Sequence, residues 1–247
     1  MPQHKKTKHK MLCYHRQITQ HLQQLTAALA LCYSVAEYCC PVWARSSYTN
    51  LFYTQLHSSM RLISGCLQPT QLSCLPVLSN VVPPALRRKA ATDNMLQIIE
   101  AHPNWPVYAD VFEHPPARLA SRRPIWSDMT SVDTITQWRE DWSSASVVNH
   151  TTVTDPTIQQ PGFDLLRHTW FLMNHFQIAQ GPRRANLYKW GIAQSPSSDC
   201  GQRQTMNHAV DTCPLTKLEG GLNLLHEVDD DAVMWLESTA TAALVNK

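Results

Sequence analysis

Apolar positions recur along this chain mostly at helical spacing. From Ile18 to Tyr38, the residues Leu22, Leu25, Leu29, Leu31 and Val35 predict one long helix, with Pro41 as its stop. A second stripe, Leu51, Leu56, Met60, Ile63 and Leu67, ends near Gly65, a residue able to take the left-handed conformation that closes helices. Pro83-Pro84 opens a third, with Leu86, Ala90, Met95 and Ile98 expected inward and Arg87, Arg88 and Lys89 near its start, ending at His102-Pro103. Prolines at 103, 106, 115, 116 and 124 then mark a connector, with one short helix expected over Ala117 to Arg122.

Further on, Ile135, Trp138 and Trp142 fall on one face of a helix expected from Ser131 to Trp142, followed by a loop over 143–160. Phe163, Leu166, Trp170, Met173 and Phe176 form the next stripe, starting after Pro161 and stopped by Gly181-Pro182. A last helix is expected after Asp229-Asp230-Asp231, whose carboxylates favour a helix start, with Val233, Trp235 and Leu236 along it. No strand-like alternation is found, so the expected fold is mostly α. The expected organisation is a basic tail over 1–14, a helical unit over 15–102, a proline-rich connector with short helices over 103–160, and a C-terminal helical unit over 161–247.

Composition narrows the chemistry. An apolar fraction of 43% with 16% charged residues and eight Trp is that of a chain able to bury a core. The seven glycines stand at 65, 162, 181, 191, 201, 220 and 221, and no phosphate-cradling GxGxxG or GxxxxGK[ST] and no GxSxG elbow can be built from them. Net charge is +2, but Lys5, Lys6, Lys8 and Lys10 supply the excess, so residues 11–247 are slightly acidic and do not form a broad electrostatic clamp for DNA. The Lys-rich start reads either as a nuclear-localisation or nucleic-acid arm or as a solvated terminus. The basic start is followed by a polar run rather than an apolar one, and Leu25 to Ala36 is too short to span a bilayer. An intracellular chain, nuclear or cytoplasmic, with no membrane segment and with its eight Cys as thiols, is therefore expected.

Two blocks carry a family resemblance. The first comprises Tyr33-Ser34-Val35-Ala36-Glu37-Tyr38-Cys39-Cys40-Pro41-Val42-Trp43, Arg61-Leu62-Ile63-Ser64-Gly65-Cys66-Leu67, Thr70, Leu75-Pro76-Val77-Leu78, and Val82-Pro83-Pro84-Ala85-Leu86-Arg87-Arg88. The second is Leu187-Tyr188-Lys189-Trp190-Gly191, then Asp199-Cys200-Gly201, Gln204-Thr205, His208 and Cys213-Pro214. Together they resemble the region downstream of the polymerase in jockey-like non-LTR retrotransposon reverse transcriptases, enzymes that are RNA-directed DNA polymerases. The first block is similar to the family's helical thumb and its exit, the second to its terminal zinc knuckle; residues 103–160 match only loosely.

The resemblance implies a fragment without the palm, non-catalytic alone, with residual RNA or DNA binding and partners among the rest of the retrotransposon machinery. The family's knuckle pattern, C-x-C-G-x6-H-x4-C, is met by Cys200, His208 and Cys213, while Ser198 stands at the first Cys. A degenerate zinc site is thus implied, its fourth ligand being water, Asp199 or His226; otherwise the trio is a small buried thiol pair with His208 on a short helix stopped by Pro214. Arg183, Arg184, Tyr188, Lys189 and Trp190 combine charge with rings able to stack on unpaired bases, or Leu187, Tyr188 and Trp190 pack against the Phe163 to Phe176 helix. Polymerisation needs paired carboxylates holding two Mg²⁺ ions. Asp229 to Asp231 only superficially imitates such a box, and no Mg²⁺ site is expected. A different class of reading is a structural or protein-interaction remnant that binds through exposed Trp and Leu faces.

Overall fold

The computed structural model describes residues 22–44, 46–113 and 133–245, and beyond 239 the backbone alone. The basic tail and the expected helix over Ala117 to Arg122 lie outside these residues. The fold is mostly helical, and no β-strand occurs among the described residues apart from one antiparallel bridge between Ser197 and Arg203. No described helix is long and apolar enough to cross a membrane.

The first helix, α1, runs over residues 22–37 and widens to π geometry at Ala28–Tyr33 before returning to α at Ser34–Glu37. It ends before Pro41 because Cys39 turns left-handed (φ 50°). Pro41, expected as a stop, instead sits in the first turn of a new short helix, α2 (Cys40–Trp43), where its missing N–H has no partner to lose. Helix α3 (Thr49–Ser64) follows the expected stripe through Leu56, Met60 and Ile63 and closes on Gly65 at φ 69°, whereas Leu51 is exposed.

Helix α4 (Cys74–Ser79) was not legible as a helix, and all six of its residues are buried. In so short a helix Pro76 stands near the start, where no intrahelical bond is forfeited. Helix α5 (Pro84–Glu100) begins where expected, but its inward face is Leu86, Thr92, Leu96 and Ile99, and Ile98 is exposed. Thr92 can be buried there because its hydroxyl donates to the Arg88 carbonyl at 3.0 Å. Arg87 forms a two-pronged ion pair with Glu37, fixing the end of α1 to the start of α5, and Lys89 pairs with Asp93 one turn on. Within the expected connector, α6 covers Pro106–Tyr108 and the π turn Ala109–Glu113.

Helix α7 (Thr134–Ser143) is capped by Asp133, whose carboxylate accepts the N–H groups of Ile135 and Thr136, and it buries Trp138 and Trp142 against α5. The 143–160 loop is held to it by Arg139, which donates to Asp155 at 2.9 and 3.1 Å. Helix α8 (Arg167–Gln177) starts six residues later than Pro161, after a series of turns. Then come α9 (Arg184–Lys189), α10 (residues 206–212, with a π turn at His208–Thr212), α11 (Gly221–Glu227) and α12 (Asp230–Val245). The Asp229 carboxylate accepts the Asp230 N–H at the start of α12, with Asp230 and Asp231 in its first turn.

The main core joins both ends of the chain. Tyr33, Leu56, Met60, Ile63 and Leu75 pack in one cluster with Trp170, Met173, Phe176, Val210, Leu225 and Leu236. Each such side chain contributes about 1.5–3 kcal/mol by leaving water. Smaller clusters form around Val77, Leu86, Trp138, Trp142 and Val153, and around Leu96, Ile99 and Val111.

Two predictions follow from this packing. A Cβ at Gly65 would need a left-handed backbone and would strike the Phe171 ring, whereas Gly191, at φ 74°, faces open space. Gly191→Ala should cost about 1–2 kcal/mol for backbone strain, and Gly65→Ala about 1–3 kcal/mol more for overpacking, measured by urea denaturation; equal losses would refute the α3–α8 contact. The Asp155 carboxyl is held at about 2 by hydrogen bonds from Arg139 and from the hydroxyl and N–H of Thr157. A carboxylate depressed in the fold stabilises above its unfolded value of about 3.9, and that contribution is lost as pH falls towards 2. Asp155→Asn should therefore flatten the stability profile over this acid window.

Candidate metal centre

Three elements bring the donors together. Residues 196–204 form a tight hairpin: the Ser198 N–H donates to the Gln202 carbonyl at 2.7 Å, the Gly201 N–H to the Ser198 carbonyl at 2.9 Å, and the Gln204 N–H to the Pro196 carbonyl at 2.9 Å. Gly201, at φ 83°, takes the turn that places Cys200 at the tip. Helix α10 carries His208, its N–H received by the Thr205 hydroxyl at 3.1 Å, and is rooted in the core by Met206, Ala209 and Val210. Cys213 follows where the helix gives way to extended backbone, and its side chain is fully buried.

The ligand atoms of Cys200, His208 and Cys213 lie within 4.8 Å of one another. Cys200 Sγ is 3.7 Å from His208 Nε2 and 3.9 Å from Cys213 Sγ. Zn²⁺ with its usual bonds to sulfur and nitrogen sets tetrahedral edges of about 3.6 Å for S···N and about 3.8 Å for S···S. The two separations match those edges to within a few tenths of an ångström, so Cys200 stands at tetrahedral edge distance from both of its partners. These residues would hold the ion by two thiolates and one neutral imidazole. Burial works to raise the Cys213 thiol, but the Thr216 hydroxyl, the Leu215 and Thr216 N–H groups and the Cys200 thiol together bring it below the usual thiol value. That favours the thiolate a metal needs.

Two expected fourth donors are engaged elsewhere. Asp199 pairs with Arg184 at 3.0 Å, and His226 Nδ1 accepts from the Gln177 amide at 2.6 Å. Ser198 is buried, its hydroxyl 3.5 Å from Gln204 Nε2. Gln202 was not singled out in the sequence, yet its amide oxygen sits 3.0 Å from His208 Nε2. A side-chain amide offers no spacing signal by which it could have been found.

The basic and aromatic stretch divides. Arg183 is only 4% exposed: it lies over the Phe176 ring and donates to the Thr239 carbonyl at 3.3 Å, so it faces the core rather than solvent. Burial lowers its pKa to about 10, with the Cys213 charge working against that shift. Arg184 braces the hairpin by donating to the Ser197 carbonyl at 3.2 Å and pairing with Asp199. Tyr188 and Trp190 are 51% and 41% exposed and Lys189 is exposed beside them, so the packing of Tyr188 and Trp190 into the core, the competing expectation, is not found. Helix α9 is joined to the hairpin by the Ala185 N–H, which donates to the Gln204 carbonyl at 3.1 Å.

Calorimetric titration should find one Zn²⁺ or Co²⁺ per chain, and His208→Ala or Cys213→Ala should each weaken binding at least about tenfold; binding unchanged in both variants would place the ion elsewhere. Against models of known protein families, curated proteins and solved structures, the chain has no match.

Proposed function

We propose that this chain is the region that follows the polymerase palm in a jockey-like non-LTR retrotransposon reverse transcriptase. Residues 15–102 would correspond to the thumb and its exit, and the hairpin with α10 to a degenerate zinc knuckle. In this reading the chain joins no nucleotides by itself and binds single-stranded RNA or DNA. The observation that carries it is the convergence of Cys200, His208 and Cys213, the residues matching the family's ligand pattern, within 4.8 Å of one another, with Cys200 at tetrahedral edge distance from both partners.

The surface beside that trio supports a nucleic-acid role. Tyr188, Trp190 and Lys189 are exposed on and just after α9, and Arg203 is exposed on the hairpin that α9 braces. Rings that stack on bases and cations that meet phosphates are the two components of sequence-tolerant single-strand binding. The metal would fix the hairpin so that these groups keep their relative positions. Asp229 accepts the Asp230 N–H at the start of α12, with Asp230 and Asp231 in its first turn, the role expected of carboxylates at a helix start.

A second reading, attachment to a protein partner, is favoured by one observation. Val35, Tyr38 and Val42 are 75%, 77% and 82% exposed across α1 and α2, an unusual density of bare apolar side chains. Salt separates the two.

Affinity for a labelled single-stranded RNA should fall steeply as salt rises, and Lys189→Ala should reduce the log–log slope by about 0.7. Trp190→Ala should weaken binding by about 1–3 kcal/mol at every salt concentration. RNA binding indifferent to both substitutions, or apolar self-association that persists at high salt without RNA binding, would overturn the nucleic-acid reading.

A further inference from the structure

Two thiolates and an imidazole leave one vertex of a tetrahedral metal site to be filled, and the residue at the family's first Cys position, Ser198, has its hydroxyl beside Gln204 instead. We propose that Gln202 completes the site, its side-chain amide oxygen binding the same metal ion as Cys200, His208 and Cys213. This inference rests on the reading of that trio as a metal centre and assigns the donor which that reading leaves open.

Gln202 Oε1 stands 3.0 Å from His208 Nε2, and that nitrogen is in turn 3.7 Å from Cys200 Sγ. An amide oxygen can only accept, so in the metal-free chain His208 Nε2 carries the proton and donates it to Gln202. When a metal binds at Nε2, the ring takes its other neutral tautomer, with the proton on Nδ1, and the Nε2 and Oε1 lone pairs both face the ion. An N···O tetrahedral edge around Zn²⁺ is about 3.4 Å, so the amide oxygen and Nε2 need to part by only about 0.4 Å to share one ion.

The hairpin holds the group in place for this. The Gln202 carbonyl receives the Ser198 N–H at 2.7 Å, and only Gly201 separates Gln202 from Cys200, so one turn delivers both donors. Charge is satisfied as well: two thiolates already neutralise a divalent ion, and a neutral oxygen completes the shell without an excess anion. Gln202 lies on the exposed side of the site and Cys213 on the buried side, so the amide would also close the metal to solvent.

Co²⁺ substitution tests this, because its visible d–d bands report coordination number and its open positions accept added anions. The Co²⁺-loaded full chain should show the intense bands of a four-coordinate ion, unmoved by thiocyanate. In Gln202→Ala the Co²⁺ affinity should fall at least about tenfold, and thiocyanate should now shift the bands. Unchanged affinity and bands in Gln202→Ala, or thiocyanate-sensitive bands in the parent chain, would overturn the assignment of Gln202 while leaving the three-ligand site standing. Failure of the parent chain to bind Co²⁺ at all would remove the metal centre, and this inference with it.

Discussion

The end of α3 depends on α8. A helix terminus leaves carbonyls without partners, and here they point into the protein, where an unmet acceptor costs about 1–3 kcal/mol. Asn174 donates its amide to the Ser64 carbonyl at 2.9 Å, and His175 Nε2 meets the Gly65 carbonyl at 3.0 Å. Burial lowers the pKa of His175, which keeps the ring neutral while it makes that bond. Neighbouring turns of α8 bring the Phe171 ring against Gly65 and place Trp170, Met173 and Phe176 in the main core. Residues 110 positions apart are thus joined through the one helix around which the rest is arranged.

The candidate metal centre inherits its rigidity from that arrangement. Helix α8 packs against α11 and α12, and α12 carries the Thr239 carbonyl that receives the buried Arg183 guanidinium at the start of α9. From the other side, Met206 closes on Gly181 just beyond α8, and Val210 enters the main core. His208 therefore stands on a helix held in the core, with Cys213 just beyond its end, while Cys200 and Gln202 arrive on a hairpin braced by Arg184. A metal bound there would join the hairpin to the core, linking the exposed Tyr188, Lys189 and Trp190 to a fixed frame.

How much of this was legible depended on the residue. Gly65 announced the end of α3, Asp229 to Asp231 the start of α12, and the resemblance to the family's knuckle pattern the meeting of Cys200, His208 and Cys213. Ile98 and Ile99 are chemically alike, and the inward stripe of α5 runs through Thr92, a polar residue that hydrogen-bonds to its own helix and so escapes a hydrophobic reading. Pro76 hid α4, because a proline between apolar residues looks like an interruption and the helix is shorter than two turns. Arg183 and Arg184 are indistinguishable by type, yet one is buried over the Phe176 ring and the other braces the surface hairpin. Gln202 carried no signal, since its oxygen becomes a donor only by its position beside His208.

X-ray absorption at the zinc edge of the metal-loaded chain counts the ligands of the ion by element. Two sulfur atoms at about 2.3 Å and two nitrogen or oxygen atoms at about 2.0–2.2 Å are expected. A shell of oxygen and nitrogen alone, without sulfur, would contradict the proposed site.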